Sequence, residues 1–420
     1  MAILDSIVVG AGQAGLGVSY FLQRKGFDHL VFEKERIGES WLTQRWDSFQ
    51  LNTPNLFNTL PGLAYNGTEP DGFWHTKDLI DYLQQYAKHF QLPVRTGVNV
   101  VSVNRAHNNE GFVIQIKNQD QAEELIESRS VVVASGIQRI PKYPAIRSRL
   151  PENIFQLHTV DYRNPQSLPP GAVVVVGSGQ SGCQIAEDLL SAERTVYLCT
   201  SKVPRVPRRY RGRDIVAWWA ETMFWDVTYE SLQDKSMSRI SQPQISGIGR
   251  YGHTVSLQYL AGRGAEILGR LLDIDSGTLS LGDDAAAHVA FADGFSKRIK
   301  DDIDNYIENK NVTPRPPLED DSADIPDPEA KCVSALRRLN LINANVSTVI
   351  WATGFTGDFS WLHLPVIDDH SKPNHNRGVS SERGLYFLGF PWLHSRKSGI
   401  LYGIAEDAEY IASTMEKQLR

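Results

Sequence analysis

The chain has 420 residues, 41% of them hydrophobic and 22% charged, with a formal net charge of −6. That length asks for two or three domains with substantial cores, and the mildly acidic balance gives no footing for a nucleic-acid partner. No apolar run is long enough to span a bilayer, and Cys183, Cys199 and Cys332 make neither a C-x-x-C pair nor a metal-ligand spacing, which argues against membrane, disulfide-reductase and metal-centred classes.

A first strand is expected over 3–9, which leaves no room for a cleavable leader and makes a cytoplasmic location the expectation. It closes on Gly10-Ala11-Gly12-Gln13-Ala14-Gly15 and opens a helix over about 13–25. In a strand–turn–helix of this kind the first glycine makes the turn and the second lets backbone approach a pyrophosphate. The third lets the helix pack on the strand, while the helix N-terminus faces the phosphates. The next strand, Leu30-Val31-Phe32-Glu33, ends on a carboxylate suited to both ribose hydroxyls of an adenosine, and Lys34 follows it. A helix is expected over 76–90, with Thr76 as N-cap and Asp78 in its first turn, then strands over 94–105 and 111–117. Residues 130–136 read as a buried strand ending in Ala134-Ser135-Gly136.

A second unit begins at about 170. Val173 to Val176 runs into Gly177-Ser178-Gly179-Gln180-Ser181-Gly182, and a strand over 195–199 follows. Thr200 stands as far beyond Gly182 as Glu33 stands beyond Gly15. A hydroxyl there, in place of a carboxylate, removes the repulsion that a 2′-phosphate would meet. Ser201, Lys202 and then Arg205, Arg208, Arg209, Arg211 and Arg213 come next. Ser201, Lys202 and Arg208 are the expected phosphate partners, the other arginines a solvated loop, and NADPH the expected reductant over NADH. Helical patterning dominates 213–222, 254–272 and 285–309, and Trp218, Trp219, Phe224 and Trp225 form a stripe that reads as core or as a substrate lid. Residues 311–330 are acidic and proline-rich, the composition of a surface loop or linker. Strands over 346–353 and 385–388 and a helix over 398–418 complete the chain. The expected fold is α/β, with two Rossmann-like dinucleotide-binding domains. The second (164–330, with a largely helical insertion over about 205–310) is inserted in the first (1–163 plus 331–420).

The two fingerprints do not stand alone. Taken with Gly38-Glu39-Ser40-Trp41, Ala134-Ser135-Gly136 ahead of Pro141 and Pro144, Ala352-Thr353-Gly354-Phe355, and the segment from Gly384 to Phe390, the chain resembles the class B flavin-dependent monooxygenases. It is nearest in pattern to the bacterial flavoprotein relatives of the plant YUCCA-type enzymes, over nearly the whole chain apart from roughly 205–330. The resemblance implies FAD at the first fingerprint and a nicotinamide dinucleotide at the second. It implies O2 and a small-molecule substrate oxygenated at nitrogen, sulfur or activated carbon through a C4a-(hydro)peroxyflavin. An NADPH oxidase or dehydrogenase on the same scaffold and a flavin-free NAD(P) sensor are the competing readings, and a homodimer is compatible with all three.

The same resemblance assigns residues. Ala134, Gly136, Ala352, Thr353 and Gly354 become links between the domains, and Gly389 part of the FAD site. Trp41, Trp46 and Asn52 fall near the isoalloxazine ring, with Asn52 as the amide that hydrogen-bonds near the peroxyflavin. Of the family signature F-x-G-x-x-x-H-x-x-x-(Y/W), only His158 and Tyr162 remain, as candidate catalytic residues, because Glu152 and Ile154 occupy the Phe and Gly positions. Arg396 and Lys397 precede the last helix, where positive charge would favour an anionic reduced flavin or an acidic substrate.

Overall fold

The β-branched runs beside the two glycine turns become inner strands of two parallel sheets, buried on both faces as continuous apolar strands require. The computed structural model describes residues 3–107, 110–239, 242–249, 251–310, 321–368 and 372–420. It begins with β1 (Ser6–Val9), α1 (Gln13–Arg24), β2 (His29–Glu33), α2 (Glu39–Thr43), α3 (Thr76–His89) and β3 (Val94–Thr96). An antiparallel trio follows, β4 (Val98–Arg105), β5 (Phe112–Asn118) and β6 (Glu123–Ser128), and then β7 (Val131–Val133). Beyond it come β8 (Phe155–His158), β9 (Ala172–Val176), α4 (Gln180–Ser191) and β10 (Val196–Cys199). The next stretch holds α5 (Ile215–Glu221), α6 (Leu257–Gly262), β11 (Glu266–Leu268), β12 (Leu271–Asp275), β13 (Thr278–Leu281) and α7 (Ala285–Lys310). Last are β14 (Arg338–Asn340), β15 (Val346–Trp351), β16 (Leu385–Phe387) and α8 (Leu401–Leu419).

In the first sheet β16, β7, β1, β2 and β3 lie side by side and parallel, with Ile7 opposite both Leu30 and Val131. The pairs His375–Asn376 and Val379–Ser380 add a short antiparallel edge. The second sheet is parallel throughout, in the order β11, β10, β9, β15, β8. Each glycine turn therefore leaves the carboxyl end of an inner strand, the edge at which open α/β sheets hold ligands. One hydrophobic cluster runs through both sheets, joining Ile7, Val31 and Val132 to Val173, Val175 and Ile350.

Four sequence expectations change. β8 and β15, assigned to the first domain, lie in the second sheet, where Trp351 pairs with both Val176 and His158. Both are apolar strands, and nothing local in an apolar strand says which sheet it will join. The helix expected over 254–272 stops at Gly262; Gly264 takes φ +103°, and the residues beyond it form β11 against β10. The N-cap of α3 is His75, not Thr76, since the His75 N–H donates to Asp78 Oδ2 at 2.9 Å in a reciprocal capping box. Of the acidic segment, 311–320 lies outside the described residues. The rest is anchored by buried Ala323 and by Asp324, which pairs with Arg205 and Lys300.

Trp218, Trp219 and Trp225 of the aromatic stripe pack in one cluster with Ile299, Ile303 and Ile307 of α7, and Trp225 also reaches the cavity into which both glycine turns open. No described helix is long and apolar enough to cross a membrane.

Candidate active site

Both glycine turns open into one cavity of about 1370 Å³. A Cβ added at Gly10 would lie 2.7 Å from the Ala134 carbonyl oxygen, and one at Gly15 would lie 1.8 Å from that of Gly10. The protein's own packing demands those two glycines. At Gly12 an added Cβ meets nothing within 4 Å. The second turn repeats the pattern: Gly177 is closed by Ala352 at 2.5 Å and Gly182 by Gly177 at 1.9 Å, while Gly179 faces open space. A side chain at either middle glycine would obstruct only an occupant of the cavity.

These same middle glycines are the N-caps of α1 and α4, which have no side-chain cap and no acidic residue in the first turn. Uncapped N–H groups at a positive helix end suit an anion, so the donor set fits two pyrophosphates. Glu33 and Lys34 lie on the wall beside the first turn, where Glu33 Oε2 accepts from the Ala11 N–H at 2.8 Å. Gln13, Ala14 and Gly38 also line the cavity, as do Ala134, Gly136, Ala352, Thr353 and Gly354 between the two turns. Gln13 Nε2 donates to the Gly399 carbonyl at 3.1 Å, and Gly389 leaves room for Ala14 of α1. Around the second turn, Ser181 faces the cavity, and the buried Ser178 hydroxyl accepts from the Ser201 N–H at 3.0 Å. Gln180 holds the strap over 244–246, accepting from Ile245 N–H at 2.7 Å and donating to the Ser246 carbonyl at 2.5 Å.

The expected 2′-phosphate partners separate. Ser201 lies on the cavity wall, but the Lys202 ammonium sits over the Phe291 ring at 4.7 Å and Lys202 does not line the cavity. Arg208 is only 1% exposed and is gripped by Asp214 at 2.8 and 2.5 Å. Its third nitrogen, Nη1, donates to the Asn52 carbonyl at 2.8 Å, and its face rests on Phe73. Nor is the basic run a solvated loop: Arg205 pairs with Asp293 and Asp324, Arg211 with Asp304 and Arg213 with Glu221. Those carboxylates are remote in sequence, apart from the nearby Glu221, which is why local composition misleads. Arg270, not singled out from the sequence, lines the cavity with Thr200 and Ser201, with its nearest carboxylate, Asp284, at 3.6 Å. Only the pairing of β11 with β10 brings it there, so no local signal could have found it.

At the other end of the cavity, Trp41, Trp46 and Phe49 form an aromatic wall with the Arg45 guanidinium over Trp41 at 4.7 Å. Trp46 is buried and its Nε1 has no hydrogen-bond partner. Arg45 donates to Gln138 Oε1 at 2.9 Å, and burial without a carboxylate lowers its pKa to about 10. Arg396 lines the same region between Phe224 (4.2 Å) and Trp392 (4.9 Å), and burial lowers it likewise to about 10. Lys397 instead pairs with Asp226 at 2.5 Å and Glu406 at 2.8 Å. Asn52 lines the cavity, and its Oδ1 accepts from Gln184 Nε2 at 3.2 Å.

His158 and Tyr162 do not line the cavity. The Val160 N–H donates to His158 Nδ1 at 3.3 Å, so the neutral ring carries its hydrogen on Nε2 and donates it to the Gly354 carbonyl at 3.0 Å. Packed between Tyr143 and Phe355, His158 is held below its ordinary pKa by desolvation. The buried Tyr162 hydroxyl donates to Asp188 Oδ2 at 2.6 Å, and desolvation pushes its pKa up. Both residues support the walls, one behind the Ala352-Thr353-Gly354 turn and one behind α4. The three cysteines are unpaired, and burial pushes the Cys199 and Cys332 thiols up to about 12.

The model of the pyridine nucleotide-disulphide oxidoreductase family matches residues 7–267. An uncharacterized CzcO-like oxidoreductase of Geobacillus kaustophilus is 32% identical over 414 residues, covering 97% of each chain. YUCCA1 of Arabidopsis thaliana, named as a probable indole-3-pyruvate monooxygenase, is 29% identical over 209 residues, 49% of each chain. Among solved structures, a flavin-containing monooxygenase from Stenotrophomonas maltophilia shares the fold over the whole of both chains, with a TM-score of 0.64 at 19% identity. The chain thus belongs to the pyridine nucleotide-disulphide oxidoreductase family, without a cysteine pair for disulfide chemistry.

Proposed function

We propose that this protein is an FAD-containing, NADPH-dependent monooxygenase that uses O2 on a small molecule. The observation that carries the reading is the pair of open middle glycines, each at an uncapped helix start and both facing one cavity. The FAD domain is then built on the first sheet and the inserted NADPH domain on the second, to which β8 and β15 are transferred. Residues 205–310 form an insertion of mixed helix and strand, the first half of which supplies the Trp218–Trp225 cluster.

Bound and reduced, the flavin supplies the reaction with O2, and the protein supplies binding, orientation and electrostatics. The α1 start binds the FAD pyrophosphate and Glu33 the adenosine ribose. The α4 start takes the second pyrophosphate, while Ser201 and Arg270 take the 2′-phosphate, the role the sequence had assigned to Lys202 and Arg208. Trp41, Trp46 and Phe49 keep water from the ring end, where Asn52 donates a hydrogen bond. The desolvated Arg396 holds positive charge against the same end.

The test is NADPH-driven O2 consumption by the purified protein, with its flavin content determined. FAD bound one-to-one and faster O2 uptake with NADPH than with NADH are expected; a colourless protein contradicts the reading. Arg270→Ala should raise KM for NADPH roughly tenfold, the scale of one charge-assisted contact, and leave KM for NADH unchanged. Equal effects on the two reductants would remove Arg270 from the phosphate site.

A further inference from the structure

Asn52 is held from two sides by residues beyond the second glycine turn. Its backbone carbonyl accepts from Arg208 Nη1 at 2.8 Å, and Asp214 locks Arg208 in turn. Its side-chain oxygen accepts from Gln184 Nε2 at 3.2 Å. Gln184 lies on α4, one turn beyond Gln180, and is 2% exposed. The same Nε2 also donates to the Ser246 carbonyl at 3.1 Å.

A backbone carbonyl can only accept, so Ser246 dictates which end of the Gln184 amide faces Asn52. Gln184 in turn dictates which end of the Asn52 amide faces Gln184. Reversing Gln184 would set its oxygen against two acceptors. The orientation is kept even though Gln184 Oε1 is left buried without a partner, a standing cost in a folded protein. Asn52 Nδ2 has no hydrogen-bond partner among the described residues, which leaves it as the amide donor available to an occupant of the cavity that Asn52 lines.

We propose that Gln184 is a positioning residue that sets Asn52 as a hydrogen-bond donor toward the flavin ring. The polarity of the ring site in the first unit is thereby fixed by the helix whose N-terminus receives the nicotinamide dinucleotide. This rests on the reading above, that the ring end of FAD lies beside Asn52.

The experiment compares the holoenzyme with Gln184→Met, Asn52→Leu and the double variant, each close in volume to the wild type. The reduction potential of bound FAD is measured by spectroelectrochemical titration, together with hydrogen peroxide released per NADPH consumed. Each single variant should lower the potential, because a donor to the reduced ring is lost or free to turn away. Each should raise the peroxide ratio roughly fivefold, the scale of one hydrogen bond. The double variant should go no further than Asn52→Leu, because Gln184 acts through Asn52. Gln184→Glu, which keeps the length and turns a donor into an acceptor, should shift the potential in the same direction if the Met variant fails to fold. A shift in Asn52→Leu with none in Gln184→Met or Gln184→Glu overturns the proposal and spares the flavin reading, as do additive shifts in the double variant. No shift in Asn52→Leu overturns the ring placement on which the proposal rests.

Discussion

At Gly12 an added methyl group would project into the cavity with no atom within 4 Å, whereas at Gly15 it would fall 1.8 Å from a backbone carbonyl oxygen. The backbone at Gly12, φ −81°, also accepts a side chain without strain. Gly12→Ala should therefore leave thermal stability within about 0.5 kcal/mol of wild type while weakening FAD retention. Gly15→Ala should cost about 3 kcal/mol or more, whatever the cavity holds. Measured unfolding curves and flavin content separate the two; similar stability losses would mean that the middle glycine is also a packing glycine.

A second residue-scale prediction concerns Asp407, which is 2% exposed on α8 and has an Oδ2 without a partner. Desolvation, opposed by the Ser398 hydroxyl, pushes its carboxyl from 3.8 up to about 6. The folded state therefore binds a proton that the unfolded state has released, and stability falls as pH rises from about 4 to about 6. Asp407→Asn should stabilise the protein by up to about 3 kcal/mol at neutral pH and by little below pH ~4. A gain in melting temperature independent of pH would contradict this.

Among elements, those with local signals were legible in the sequence and those fixed by distant partners were not. The α1, α3 and α7 helices follow from apolar periodicity, and the two glycine turns from strand–glycine–helix order. The partners of Arg205 could not be read, since Asp293 comes from α7 and Asp324 from the acidic segment beyond it. That segment looked like a linker because its charge was counted before its partners were known. Arg205→Met should leave two carboxylates facing each other in a nearly buried site, at a cost of about 3 kcal/mol. It should also raise amide exchange over 321–330; a loss of less than about 0.5 kcal/mol would mean that Lys300 alone holds Asp324. The proposed 2′-phosphate partners differ from those read in the sequence for a related reason: Lys202 and Arg208 follow β10 but do not line the cavity, whereas the pairing of β11 with β10 brings Arg270 to it. His158 and Tyr162 kept their places in a familiar spacing, and burial shows them bracing the walls rather than facing the cavity.

For the molecule as a whole, the two sheets repeat one solution with one difference. Both present an uncapped helix start behind an open glycine, yet the first pairs it with Glu33 and the second with Thr200, Ser201 and Arg270. That asymmetry is the basis for proposing FAD on one side and NADPH on the other side of the cavity that both turns line. Anaerobic titration of the purified protein with NADPH, followed by visible absorbance, tests this most directly. A yellow protein is expected, its bound FAD bleached by one equivalent of NADPH, and much more slowly in Gly179→Val, which fills the second cradle and leaves the first. A bound flavin that NADPH leaves oxidised, or equal bleaching in Gly179→Val, would contradict it.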